Sequence, residues 1–126
     1  MTEDKGSRVD DICVIYYSRD DDCWIAHGLN TDQIGTGDCV LHALADLMTA
    51  LKQLGELAAE DETIEVRRDA PVSIRKKVAS AQRLPRELYE IAHKMVHGDW
   101  PNIEVKIEGR GRRRPKFTAE LDPVPA

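Results

Sequence analysis

The sequence predicts an α+β protein: a small antiparallel sheet, built from a β-hairpin and further strands, packed by one long amphipathic helix, with a two-helix appendage and a late strand. Three observations predict this class. Two apolar runs, residues 12–17 and 23–29, flank an acidic turn, which is typical of a β-hairpin. Apolar side chains then recur at helical spacing over residues 40–54. Residues 103–107 alternate apolar and charged side chains, as a one-sided strand does.

The two hairpin strands are predicted from the kinds of side chain that they carry. Residues 12–17 are mostly β-branched or aromatic, which favours a buried strand, and residues 23–29 form the second apolar run. The turn between them holds three aspartates at residues 20–22, and aspartate favours turns because its carboxylate bonds to nearby backbone. A short third strand is expected from Thr31 to Ile34.

The long helix has the strongest signal in the sequence. Asp38 is the expected N-cap, because its carboxylate can accept a hydrogen bond from an unpaired backbone N–H of the first turn. Gly55 marks one expected end, although residues 56–60 could extend the helix. The apolar stripe that would cover the sheet is spaced by fours and threes: Val40, Leu44, Leu47, Leu51 and Leu54.

The second half of the sequence predicts a strand and two helices. Alternating side chains predict a strand from Thr63 to Arg67. Pro71 suits the first turn of a helix that runs to about Gln82, and Pro85 suits the start of another. The predicted segments are a flexible N-terminus at 1–10, an α+β domain at 11–67, a helical appendage with a terminal strand at 68–108, and a flexible tail at 109–126, basic and then proline-containing.

Charge divides the chain more sharply than its formal net value of −5 suggests. Residues 1–66 carry 15 acidic and 4 basic side chains, whereas residues 67–126 carry 8 acidic and 14 basic ones. The asymmetry indicates an acidic body and a basic end that binds a partner. Five cations in seven residues supply most of the positive charge: Arg110, Arg112, Arg113, Arg114 and Lys116.

The basic run has three interpretations that the sequence leaves open. Glycine and proline between the cations allow the backbone to adapt to a phosphate chain, which favours nucleic-acid binding. The same residues would also serve as a solubilising tail, or would dock onto the acidic half of a neighbouring chain.

No catalytic, cofactor or metal site is predicted, and an enzyme is not expected. His93 and His97 have the spacing of two metal ligands on a helix, but their position near its C-terminus also suits the helix dipole. Cys23 and His27 would lie on the same side of a strand about 13 Å apart, too far for a catalytic hydrogen bond. A small enzyme that uses His42, His93 or His97 as an acid or base remains a third alternative.

A cytoplasmic location without a membrane partner is expected. No apolar run reaches the length of about 18 residues that a membrane-spanning helix needs. The first residues lack the apolar core of a signal peptide. Three cysteines, an odd number without Cys-x-x-Cys spacing, suit reduced thiols better than a disulfide framework.

The stretch Gly37-Asp38-Cys39-Val40-Leu41-His42-Ala43-Leu44 resembles the signature of the HicB-like antitoxin family, a turn into a helix that reads Gly-Asp-Thr and then Glu-Ala-Leu. Cys39 and His42 stand where the family has Thr and Glu. The upstream hairpin, with Asp22 and then Trp24, is also similar. The resemblance covers about residues 11–67 and implies a partial ribonuclease-H-like fold.

The resemblance implies a non-catalytic module that binds and masks a small RNA-cleaving toxin, and such modules often carry a DNA-binding appendage. We expect this chain to form a homodimer. In such proteins the appendage is a helix-turn-helix or a ribbon-helix-helix. Residues 63–97 could form the second kind, with a strand in the major groove and Arg67 and Arg68 near phosphates. The alternative function is a nucleic-acid-binding protein that acts through the basic C-terminal half.

Overall fold

The computed structural model describes residues 11–96 and 116–121. It confirms the α+β class: a five-stranded sheet is packed by one long helix and smaller helices. The elements in chain order are β1 (Asp11–Ser18), β2 (Cys23–Gly28), β3 (Ile34–Gly37), α1 (Val40–Glu60), α2 (Val72–Arg75), a 3₁₀ helix (Lys76–Ser80), β4 (Gln82–Arg83), α3 (Arg86–Val96) and β5 (Phe117–Leu121).

The sheet is mixed, with strand order β3-β2-β1-β5-β4. β1 lies at its centre and pairs antiparallel with both β2 and β5, so that Ile15 is opposite Ala26 on one side and Phe117 on the other. β4 pairs parallel with β5. Parallel neighbours need a crossover connection, and α3 lies in the chain between these two strands.

β5 corrects the prediction that residues 109–126 form a flexible tail. Its residues occupy an inner position of the sheet, between β1 and β4. Phe117, Ala119 and Leu121 are each less than a tenth exposed and belong to the main core. The alternation of apolar and polar side chains that is typical of a strand was present in the sequence. The run is short, however, and the prolines and cations around it obscured the pattern.

Three further predictions are corrected along the chain. The third strand begins at Ile34, where the prediction ended it. The predicted strand at 63–67 is irregular backbone. The helix expected from Pro71 is one short α-helical segment, α2, followed by the 3₁₀ helix. The predicted strand at 103–107 and the predicted flexible N-terminus at 1–10 lie outside the described residues.

α1 covers one face of the sheet and supplies more of the core than any other element. Leu44, Leu47, Met48 and Leu51 are almost completely buried. The helix runs through Gly55 to Glu60, the longer of the two expected lengths. Its N-cap is Cys39, one residue later than predicted, and no side-chain hydrogen bond caps it.

α3, which confirms the helix expected from Pro85, packs against α1. Ala92 and Met95 lie in the same core cluster as the buried side of α1. The prediction that a separate appendage begins at residue 68 is therefore wrong, because α3 shares the core of the preceding domain. No helix in the described part of the chain has the length and apolar character needed to cross a membrane.

Two glycines allow α1 to lie directly on β3. A β-carbon at Gly35 would be 2.5 Å from the carbonyl oxygen of Ala43 and 2.7 Å from Cα of Leu47. At Gly37 a β-carbon would be 2.7 Å from the backbone nitrogen of Ala43. These distances are shorter than van der Waals contact, so the close approach of strand and helix requires glycine.

The opposite face of the sheet is covered by the segment that precedes β4. Val14, Leu29 and Ala70 form a second, smaller cluster there. The backbone N–H of Ala70 donates to the carbonyl of Leu29 at 3.0 Å, and that of Arg68 donates to the carbonyl of Asn30 at 2.8 Å. This segment therefore uses its backbone to dock on the loop after β2 rather than to form a strand.

Cys13 is expected to resist alkylation in the folded protein. Burial, with a further contribution from Asp11, raises the pKa of its thiol to about 12, against backbone hydrogen bonds that lower it. Native-state labelling with iodoacetamide at about pH 8, read by peptide mass spectrometry, should modify the partly exposed Cys23 and Cys39 before Cys13. In urea all three should react; equal native rates would contradict the burial.

The same thiol makes stability depend on pH. An unfolded chain releases the proton of Cys13 near 9.0, whereas the folded chain keeps it up to about 12. The unfolded state therefore binds fewer protons in this interval, and the contribution of Cys13 to stability falls as the pH rises through it.

Candidate functional site

The structure describes three of the seven predicted nucleic-acid-binding residues. Arg67 and Arg68 are exposed and lie in the irregular segment after α1, and Lys116 is partly buried immediately before β5. The others lie outside the described residues: Arg110, Arg112, Arg113 and Arg114. The ribbon-helix-helix interpretation of residues 63–97 is wrong, because the first of its two helices is only the short α2 and a 3₁₀ helix. The backbone before it, at Arg68 and Ala70, is bonded to the loop after β2.

Lys116 belongs to a cationic cluster with Lys77, Ser80 and Tyr16, here called the Tyr16 cluster. Nζ of Lys116 donates to Oγ of Ser80 at 3.2 Å. Ser80 donates to the carbonyl of Lys77 at 3.3 Å, and Nζ of Lys77 lies 4.6 Å from the ring centroid of Tyr16. The backbone fixes this arrangement, because the N–H of Gln82 donates to the carbonyl of Lys116 at 2.8 Å.

The Tyr16 cluster has the chemistry of an anion site. Burial, and then the nearby charges of Asp21 and Cys23, raise the pKa of Tyr16. Lys77 and Lys116 supply two ammonium groups, and such groups attract the oxygens of a phosphate. Only Lys116 was predicted; Lys77 and Tyr16 come from distant elements, and no sequence spacing connects them.

A cavity of about 450 Å³ lies where β3, α1 and the end of α3 meet. His42, Asp46 and Thr49 line it from α1 and lie four and three residues apart, so they share one side of the helix. This polar stripe beside the apolar one was a signal in the sequence that our prediction did not use. Apolar side chains line the rest of the cavity: Ala45, Met95 and Val96.

Asp46 connects the cavity to the edge of the sheet. Its Oδ2 accepts a hydrogen bond of 2.9 Å from the backbone N–H of Thr36, which also lines the cavity. β3 is an end strand in the described part of the sheet, and this N–H is directed to α1 rather than to β2. The carboxylate is therefore held at the mouth of the cavity while its second oxygen remains available as an acceptor.

The buried carboxylate of Asp11 has a structural role instead. Its Oδ1 accepts hydrogen bonds from the backbone N–H groups of Ile12 at 2.7 Å and Asn30 at 2.9 Å. Oδ2 accepts from the hydroxyl of Thr31 at 2.6 Å. These three donors satisfy a charged group that would otherwise be costly to bury, and they fix the loop after β2 against β1.

The described histidines lie on three separate elements: His27 on β2, His42 on α1 and His93 on α3. Nε2 of buried His27 lies 2.6 Å from Oδ1 of Asp32, a residue with φ of 56°. The ring of His93 lies near Tyr89, at 6.3 Å between centroids, whereas His97 lies outside the described residues. Within the described residues, 11–96 and 116–121, no three histidine, cysteine or carboxylate side chains cluster closely enough to hold a metal ion.

The geometry thus offers two candidate binding regions: the Tyr16 cluster beside β5, and the cavity beside β3. Comparison of the chain with family models, curated proteins and solved structures finds no match to any of them.

Proposed function

We propose that this chain is a non-catalytic protein-interaction module, similar to a HicB-like antitoxin, that binds and masks a small protein partner. One observation carries the proposal. Among the described residues β3 is an end strand of the sheet, its Ile34 is 51% exposed, and the cavity opens beside it. An exposed apolar side chain on an end strand next to a concave surface is a common basis for protein binding.

The edge of β3 also limits how a partner can bind. The backbone N–H of Thr36 is already bonded to Asp46, so a long added strand would have to displace that carboxylate. A partner therefore gains more from the side chain of Ile34 and from the cavity than from extending the sheet. The HicB-like family has the order strand, strand, short strand, long helix, strand. The first four of these elements correspond to β1, β2, β3 and α1, which bring the two features together, whereas the fifth, expected at 63–67, is irregular backbone here.

Replacing Ile34 by aspartate is expected to weaken the complex at least about ten-fold, because burial of this side chain would be a central contact. The chain would be co-expressed with the protein encoded by the adjacent gene, and the affinity measured by calorimetry. Leu57→Asp is the matched control: Leu57 is 55% exposed on α1, outside the cavity. We expect this control to bind within about two-fold of the unsubstituted chain.

Size-exclusion chromatography with light scattering would separate partner binding from self-association. A homodimer that Ile34→Asp dissociates would assign the edge to a second copy of the chain. A chain that stays monomeric and forms no complex with the adjacent gene product would contradict the proposal.

The alternative proposal is nucleic-acid binding through the basic C-terminal half. The observation that favours it is the position of Lys116, the last of the five clustered cations, beside Lys77 in the Tyr16 cluster. A phosphate chain that follows the basic run would reach this cluster directly. Arg75 does not contribute, because its guanidinium is held by the carbonyl of Leu29 and by Asp69.

Charge-removing substitutions test this alternative better than a deletion, since β5 follows the basic run immediately. Changing all four arginines of the run to glutamine should make duplex binding less sensitive to salt. The slope of log affinity against log salt concentration should become shallower by roughly 0.9 for each lost phosphate contact. The variant is Arg110→Gln, Arg112→Gln, Arg113→Gln and Arg114→Gln, with Lys52→Gln as the control. An unchanged salt slope would exclude the run as the contact.

A further inference from the structure

The cavity beside β3 has a chemistry that selects its occupant. The structure does not line it with any lysine or arginine of the described residues, and Asp46 is the acidic group at its mouth. Its volume of about 450 Å³ lies within the usual range of about 300–1,000 Å³ for ligand pockets.

The polar side of the cavity presents hydrogen-bond acceptors. One oxygen of Asp46 is used by the N–H of Thr36, which fixes the carboxylate and leaves the other oxygen for a ligand. The hydroxyl of Thr49 donates to the carbonyl of Ala45 at 3.0 Å, so its own oxygen remains an acceptor. An acceptor-rich surface favours a group that has only donors, and guanidinium has five N–H donors and no acceptor.

The remaining side chains fit the rest of an arginine. The imidazole of His42 is an aromatic face on which a planar guanidinium can stack. Ala45, Met95 and Val96 form an apolar surface for a methylene stem that leads to the charged head. A lysine would pair with Asp46 but would make less use of the flat ring and the second acceptor.

We infer that this cavity binds an arginine side chain presented by the protein partner. The inference rests on the proposed function and names the chemistry that the partner must supply. The guanidinium pairs with Asp46 and Thr49, its stem lies on Ala45 and Met95, and Ile34 contacts the partner beside the cavity.

The first test uses N-butylguanidinium as a probe of the isolated chain. Saturable NMR shifts are expected at the amide of Thr36 and at the methyl groups of Ala45 and Met95. Butyrate and n-butanol, of similar length, should shift these signals far less. If n-butanol binds as tightly as the guanidinium, or if no signal saturates, the inference is overturned.

Asp46→Asn removes the charge while keeping an oxygen that can accept from Thr36. Because the carboxylate is exposed to solvent, we expect the affinity for N-butylguanidinium to fall about two- to five-fold. Asp38→Asn is the matched control, since Asp38 is an exposed carboxylate nearby that does not line the cavity. Equal affinities of the two variants would contradict the role of Asp46.

The same two variants distinguish failure of the inference from failure of the proposed function. Weaker binding of the adjacent gene product by Asp46→Asn, with Asp38→Asn unchanged, supports both. A complex that Ile34→Asp weakens and Asp46→Asn does not would overturn the arginine site and leave the interaction module standing. Saturable guanidinium binding without any protein complex would support the cation site and contradict the module.

Discussion

Replacing Gly35 by alanine is expected to lower the free energy of unfolding by about 3 kcal/mol, the upper end of the usual cost of overpacking a core. The new methyl group would meet the carbonyl oxygen of Ala43 and Cα of Leu47, which are backbone atoms of α1. Side chains can rotate away from such a contact, but a helix backbone cannot. α1 would therefore have to move away from β3, and urea denaturation followed by circular dichroism would measure the loss.

Thr36→Ala is the control for this substitution. Thr36 is the next residue of β3, its side chain is exposed, and the change keeps the backbone N–H that bonds to Asp46. We expect its effect to stay within about 0.5 kcal/mol. A Gly35→Ala protein with the denaturation midpoint of the unsubstituted chain would show that β3 and α1 do not approach as closely as described.

Ending the chain after Lys116 is expected to abolish cooperative unfolding. The truncation removes β5, so β1 loses one of its two partners and β4 loses its place in the sheet. It also removes Phe117 and Leu121 from the core. Removing such side chains individually costs about 2–5 kcal/mol, and two of them approach the whole stability of a small domain, about 5–15 kcal/mol.

Thermal denaturation and the dispersion of amide signals in NMR would test the truncation. The full-length Phe117→Ala protein provides a graded comparison, with an expected loss of about 3–5 kcal/mol. Lys116→Gln is the control and should change stability by no more than about 0.5 kcal/mol, because it leaves the strand intact. A truncated chain that unfolds cooperatively at the full-length midpoint would contradict the inner position of β5.

The elements that the sequence predicts well are those with a local signal. The hairpin, α1 and α3 each combine a periodic apolar pattern with turn or helix-start residues, and all three are confirmed. β5 was missed because its five residues are stabilised by β1, a partner at the other end of the sequence. The alternating residues 63–67 were predicted as a strand but are irregular. The backbone that follows them, at Arg68 and Ala70, bonds to the loop after β2, a contact that the alternation does not reveal.

In the candidate sites, too, local sequence features could be predicted, whereas contacts between distant residues could not. The basic run was visible as composition, and Lys116 was correctly included in it, but its neighbours Lys77 and Tyr16 come together only in the folded chain. The cavity depends on the end of α3 reaching α1, which no pattern in either helix reveals. Only the polar stripe of His42, Asp46 and Thr49 could have been found by counting residues.

The central position of β1 has a consequence for how the protein is made. β1, β2, β3 and α1 are consecutive, so they can assemble while later residues are still being synthesised. The other edge of β1, however, stays open until residues 117–121 have been translated. An open strand edge with apolar side chains can associate with other chains. A nascent chain that is halted on the ribosome before β5 has been made would therefore expose an unpaired edge of β1, and slow translation there would favour aggregation.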